Sequence, residues 1–191
     1  MARIGMDANT IISRATQMAN QMGMENMTLK MLADDLGVKT PSLYNHIDGL
    51  EDLKMQLKIY GWKQMEERII QSVIGISGYD AIKAGCYAFY EYATENPGIF
   101  NAMLWYNKSQ NAETMEATSG LFSVLFKITS SLNISEENCN HIIRTLRGFL
   151  EGFSLLVNNG AFGNPISISD SFELSVNVLV EGIKTLEEKG V

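Results

Sequence analysis

The apolar positions of this chain recur at helical spacing almost from end to end, and the breaks between runs carry caps and stops. Leu29, Leu32, Ala33 and Leu36 fall at i, i+3, i+4 and i+7, one face of a helix that Thr28 can cap. Gly37 supplies the left-handed position that ends it, and Val38 is the apolar plug of the turn. Thr40 followed by Pro41 reads as an N-cap with proline at the first helical position. In this second helix Leu43 and Ile47 point inward, which leaves Lys39, Thr40, Ser42, Tyr44, Asn45 and His46 facing outward. Two helices at a steep angle, the second one polar, form the geometry that places side chains in a DNA major groove.

Ahead of this pair, Asp7 caps a helix carrying Ile11, Ala15, Met18 and Met22 until Gly23 stops it. Behind it, Asp48-Gly-Leu-Glu51 reads as a capping box that opens a long helix through Leu50, Leu53 and Leu57 towards Ile74. No Gly-, Pro- or Ser-rich linker interrupts that rod, so it leaves a small N-terminal domain and enters a larger one.

Further helices are predicted from about Tyr79 to Thr94, stopped by Asn96-Pro97-Gly98, and from Ile99 to Tyr106. Residues 112–132 form another, with Leu121, Val124, Leu125 and Ile128 facing in. Ser135 starts the next, whose broad stripe runs through Cys139, Ile142, Ile143, Leu146, Phe149, Leu150 and Phe153 to a stop at Asn158-Asn-Gly160. After the loop AFGNPISISD, a last helix places Phe172, Val176, Leu179, Ile183 and Leu186 in register. No segment alternates with period two, so the fold is all-α with nine helices: a three-helix helix-turn-helix domain over 1–47 and a helical bundle over 48–191.

Two features of the bundle each admit two explanations. Wide stripes on the last two helices, with Gly148, Gly152 and Gly182 letting backbones approach, suit either tight internal packing or a two-fold bundle between identical subunits. In the second case Gly148, Gly152, Phe172, Val176, Leu179 and Ile183 form the interface. Likewise Trp62, Met65, Tyr87, Tyr90, Met103, Trp105, Phe122, Phe126 and Phe149 are either core or the lining of an adaptable apolar pocket.

Composition narrows the function. Of 191 residues 46% are hydrophobic, 19% are charged and only 3 are proline, as befits a helical globular protein. No apolar run approaches a bilayer span and MARIGMDANT has no signal core, so a cytoplasmic protein without a membrane partner is expected. Cys86 and Cys139 are expected to be reduced and buried. The net charge of −7 is unevenly placed. Residues 1–50 hold four basic and five acidic side chains, a net of −1, and the remainder holds 11 and 17, a net of −6. With so few cations, backbone amides and hydroxyls must supply many phosphate contacts, and salt dependence should be modest. His46 and His141 are the only histidines and no further ligands group at metal spacing. No nucleophile elbow, P-loop or dinucleotide fingerprint is present, so neither an enzyme nor a cofactor is expected.

The segment TLKMLADDLGVKTPSLYNHI over 28–47 resembles the DNA-binding signature of the tetracycline-repressor (TetR) family, with flanking similarity through DANTIISRATQMANQMG and DGLEDL. The resemblance implies that Thr28 and Lys30 meet a phosphate, that Lys39, Thr40, Pro41 and Ser42 approach base edges, and that Tyr44 and His46 contact phosphates. Asn45 is placed to reach either kind of group. Many family members carry a phosphate-gripping lysine where this chain has Leu50, so that contact is missing. The stretches TLRGFLEGF and NNGAFGN resemble a C-terminal subgroup called WHG-type, except that Glu151 stands where that subgroup commonly has histidine. Relatives dimerise through their final two helices, and a small molecule in the bundle changes the separation of the two heads. The resemblance therefore implies a homodimeric, ligand-responsive repressor whose partners are a near-palindromic double-stranded DNA operator and a small apolar or aromatic effector. The rival reading, favoured by scarce basic charge and Leu50, is a helical protein-interaction module with a degenerate DNA-binding head.

Overall fold

The computed structural model describes residues 7–104 and 112–190, with only the backbone of Glu113 and Thr114. Among the described residues every regular element is helical. The order is α1 (Ala8–Met22), a 3-10 turn (Met24–Asn26), α2 (Leu29–Asp35), α3 (Thr40–Leu43), α4 (Leu50–Ser72), α5 (Gly78–Glu95), α6 (Pro97–Met103), α7 (Ala112–Thr129), α8 (Glu136–Asn158) and α9 (Ile168–Glu188). Two compact units emerge: Met1–Trp62 with Asn96–Ala117, and Lys63–Glu95 with Thr118–Val191. The boundaries fall within α4, between α5 and α6, and within α7, so α4 and α7 each contribute residues to both units.

In the first unit the expected caps form. The Asp7 carboxylate accepts the Thr10 N–H at 2.7 Å, and Gly23, at φ 82°, ends α1. Ile11, Leu32, Leu43, Leu53 and Leu57 are fully buried, which fixes three short helices and the start of α4 around one apolar centre. Met24 and Met27 join that core through the 3-10 turn, which apolar periodicity alone did not reveal. The entry to α4 differs from the expected capping box. Asp52, not Glu51, reaches back to the Asp48 N–H at 2.8 Å, while Glu51 pairs with Lys54. Gly49, at φ 109°, occupies a conformation costly for any side chain, and it leaves no hydroxyl or carboxylate for the other half of a box.

In the second unit α5, α8 and α9 pack on one another. Small residues on α5 (Ala81, Gly85, Cys86, Ala88 and Ala93) let the helices approach, and α8 answers with Cys139, Ile142, Ile143, Leu146 and Leu150. Burial pushes the Cys86 thiol pKa up to about 12, so it is an inert thiol, and Cys139 is also buried and free. Arg68 near the end of α4 bridges Glu91 and Glu95 of α5.

The register of α9 differs from expectation by one position. Val180 is buried beside Phe172, Val176 and Ile183, whereas Leu179 is half-buried and Leu186 exposed. Straight helices drift against any strict spacing, and Val180 continues the 172–176–180 row. α7 ends at Thr129 rather than near 132, its hydroxyl bonding back to Leu125 O at 3.0 Å. Ala117, Thr118, Leu121 and Thr129 form its inward face, with Val124, Leu125 and Ile128 only half-buried.

Candidate nucleic-acid interface

The turn between α2 and α3 is built by local hydrogen bonds. Gly37, at φ 68°, donates to Asp34 O at 3.2 Å, and Val38 donates to Ala33 O at 2.9 Å. That pair is the Schellman arrangement, which satisfies the last carbonyls of α2 and turns the chain sharply into α3. Thr28 accepts the Met31 N–H at 3.2 Å, so its hydroxyl proton stays free to donate outward.

α3 is shorter than expected. Its cap is Lys39, one residue before Thr40, without a side-chain bond, and only Thr40–Leu43 are α-helical. The coil then tightens as His46 N–H donates to Leu43 O at 2.9 Å, with Ile47 N–H reaching the same carbonyl at 3.1 Å. Leu43 and Ile47 are buried, as their spacing required. Lys30, Lys39, Pro41, Tyr44 and Asn45 are exposed, and Thr40, Ser42 and His46 are half-buried. Tyr44 is 57% exposed and stands on the surface.

The charge on this unit is arranged differently from its composition. Arg14 does not face outward alone: its Nη2 meets Asp35 Oδ1 at 2.6 Å and its Nη1 meets Gln17 at 2.5 Å. The bond to Asp35 raises the Arg14 pKa and lowers that of the carboxyl. Asp7 is also held below the usual carboxylate range, mainly by the Thr10 bond and least by nearby His46. Lys30 and Lys39 remain as the outward cations among the described residues of residues 1–50.

A second feature of this unit escaped the sequence. Asn20 on α1 donates to Asn96 Oδ1 at 2.8 Å and accepts the Ile99 N–H at 3.1 Å, capping α6 from outside. Gly98 lies so close to α1 that a Cβ would collide with the Ala19 carbonyl, and at Gly61 a Cβ would meet Ile99 and Met103 at 2.6 Å. Helix α6 is thus keyed into both α1 and α4. The only sequence signal was the Pro97-Gly98 pair, which reads equally well as a plain helix stop.

The residues expected to line a pocket are drawn from both units. Trp62 and Met103 are buried in the first unit, and Trp105 lies outside the described residues. In the second unit Met65 is fully buried, and Phe122, partly covered, carries Arg147 over its ring at 5.6 Å. Phe126 is half-buried. Tyr87, Tyr90 and Phe149 surround Phe172, with ring centroids 5.4, 4.1 and 5.7 Å away. Phe153 and Phe162 extend this aromatic cluster and were not anticipated as members.

The expected interface set also divides. Phe172, Val176 and Ile183 are buried in the core of the second unit, where α9 packs on α5 and α8. Gly148, Gly152 and Gly182 have nothing within 4 Å of where a Cβ would stand, so tight internal packing does not explain them. Leu174, Val178, Gly182 and Leu186 form a row at spacing four on the outer face of α9, and Leu156 is exposed on α8. Leu179 lines a groove of about 310 Å³ with Thr145, Leu146, Val178 and Gly182.

The family model described as the tetracyclin repressor-like C-terminal domain matches residues 82–179, just over half of the chain. This protein belongs to the tetracyclin repressor (TetR) family. The HTH-type transcriptional regulator YobS of Bacillus subtilis (strain 168) is 29% identical over 182 residues, 95% of this chain and 94% of that protein. A Rhodococcus sp. RHA1 protein of unknown function has the same fold, with TM-score 0.81, 15% identity, and coverage of 93% of this chain and 95% of that one. TetR from Acinetobacter baumannii AYE gives TM-score 0.70 and 18% identity over 95% of this chain and 98% of its own. This TetR-family member is a transcriptional regulator, not an enzyme. Among the described residues no helix is long and apolar enough to cross a membrane, and no group of side chains is disposed to hold a metal ion.

Proposed function

We propose that this TetR-family regulator is a ligand-responsive repressor that works as a homodimer on a near-palindromic DNA operator in the cytoplasm. The supporting observation is the polar surface from Lys39 to His46, presented over buried Leu43 and Ile47 behind a fixed Gly37 turn. Lys39, Thr40, Pro41 and Ser42 approach base edges, where hydroxyls bond several bases and the Thr and Pro carbons suit a thymine methyl. Thr28, Lys30, Tyr44 and His46 hold phosphates, and Asn45 reaches either group. Residues 1–47 are the reading head and 48–191 the effector and dimer domain, joined through α4.

The second copy covers the outer row of α9 and the glycines of α8. An exposed apolar stripe beside open backbone suits an isologous contact, in which each residue meets its own symmetry mate's surface. An apolar or aromatic effector among Tyr87, Tyr90 and Phe149 acts by preferring a head separation other than one DNA turn, roughly 34 Å. A gel shift on the chain's own upstream DNA tests the proposal. Sequence-dependent binding lost in Thr40→Ala and Tyr44→Ala supports it. The interaction-module reading draws support from the engagement of Arg14 by Asp35. Absence of any shift at low salt would favour that reading.

A further inference from the structure

We propose that the second unit carries a surface site for an anionic alkyl amphiphile, such as a medium-chain carboxylate, with Lys127 as its counter-ion. The site is a groove of about 410 Å³ where the end of α4, the start of α5 and the last turns of α7 meet. Ile70, Ile74, Ile76, Val124 and Ile128 form its apolar walls and Lys127 lies on its lining. Its volume falls in the lower part of the range for small-ligand clefts, ~300–1,000 Å³.

Three observations choose the occupant. First, Ile74 is 65% exposed, Ile76 44% and Ile70 37%, all lining one concavity. Single exposed aliphatics are ordinary, whereas a contiguous set around a groove marks a surface that something covers. Second, no ring lines the groove, so it offers neither stacking nor a cation–π face, and a flexible aliphatic chain is the matching shape. Third, Lys127 is the one charged group of the lining and makes no ion pair among the described residues. The chain as a whole carries −7, so an anion drawn to this groove is drawn by that ammonium and not by the general field. Lys127 is exposed on the lining, and a lysine stem can cover apolar surface while its head stays in water, which fits a ligand whose carboxylate ends at the rim. The aromatic cluster around Phe172 shares no residue with this groove.

Calorimetric titration of the full chain with sodium octanoate, sodium decanoate and decanol tests the proposal. Decanoate should bind, with affinity rising about fourfold per added methylene from octanoate. Lys127→Glu should weaken decanoate roughly tenfold and leave decanol unchanged, and Lys127→Arg should restore decanoate. Ile128→Trp should fill the groove and abolish both. Equal affinity for decanoate and decanol in the parent and in Lys127→Glu would overturn the proposal. So would decanoate binding that survives Ile128→Trp. Self-association abolished by Ile74→Asp, with no decanoate bound, would overturn it in favour of a second copy as the occupant.

Discussion

Asn20 and Asn96 face each other across α1 and the start of α6, amide to carbonyl at 2.8 Å, and Asn20 also takes the Ile99 N–H that Asn96 as N-cap would normally accept. The first helix of the head therefore completes the sixth. Loss of this cap should be felt by both. Asn20→Ala should lower stability by about 1–2 kcal/mol, read as a shifted urea midpoint at constant slope. Gly98→Ala should cost more, because the Ala19 carbonyl occupies the place of the new methyl. Equal midpoints for both variants and the parent would contradict the keyed junction.

Neighbouring residues of α3 should separate stability from recognition. Leu43→Ala removes a fully buried side chain and should cost about 2–5 kcal/mol. Tyr44→Ala touches an exposed ring, should shift stability by less than about 0.5 kcal/mol, and should weaken operator binding. Chemical denaturation paired with fluorescence anisotropy on labelled DNA checks both halves.

The two faces of α9 should behave in opposite ways. Val176→Asp places a carboxylate in the core and should prevent folding, whereas Val178→Asp meets solvent in the free subunit and should leave the fold intact. If α9 is the dimer face, Val178→Asp converts the particle to a folded monomer. Light scattering coupled to size exclusion, with circular dichroism as the fold control, reads the outcome.

Glu187 near the end of α9 accepts from the Tyr79 hydroxyl and, at 2.7 Å, from the Asn133 N–H. The bond to Glu187 pushes the Tyr79 pKa from 10.0 up to about 12. The same bond, followed by the Asn133 N–H, lowers that of Glu187 below 4.5. The tyrosine contribution is fully present below pH 10 and is lost as pH rises towards 12; the glutamate contribution is present above pH 4.5 and is lost on acidification below it. Thermal melts should be flat between those limits as far as this latch is concerned. Tyr79→Phe should reduce the alkaline decline, to which Tyr87 and Tyr90, their pKa values raised by desolvation, also contribute, and a decline unchanged in that variant would refute the assignment.

What the sequence disclosed and what it hid divide along physical lines. Asp7, Thr28 and Gly37 act on residues three to five positions away, so their caps and turn are written in local spacing. Leu43 and Ile47 could be assigned inward for the same reason. Gly98 and Asn20 meet across nearly eighty residues, and nothing near either announces the other. Gly148 and Gly152 invited a close-packing interpretation because a small residue looks alike whether a backbone abuts it or water does. Phe153 and Phe162 joined the aromatic cluster only once the helices were set side by side, and a one-position error in α9 exchanged Leu179 for Val180. Of the DNA surface, residue types and outward direction were legible, while the engagement of Arg14 by Asp35 was not.

Hydroxyl-radical and methylation footprinting of the full chain on its own upstream DNA tests whether two reading heads engage one operator. Two protected major-groove segments are expected, related by a two-fold axis and about one helical turn apart, both lost in Thr40→Ala. A single protected segment, or protection unchanged by Thr40→Ala, would contradict that engagement.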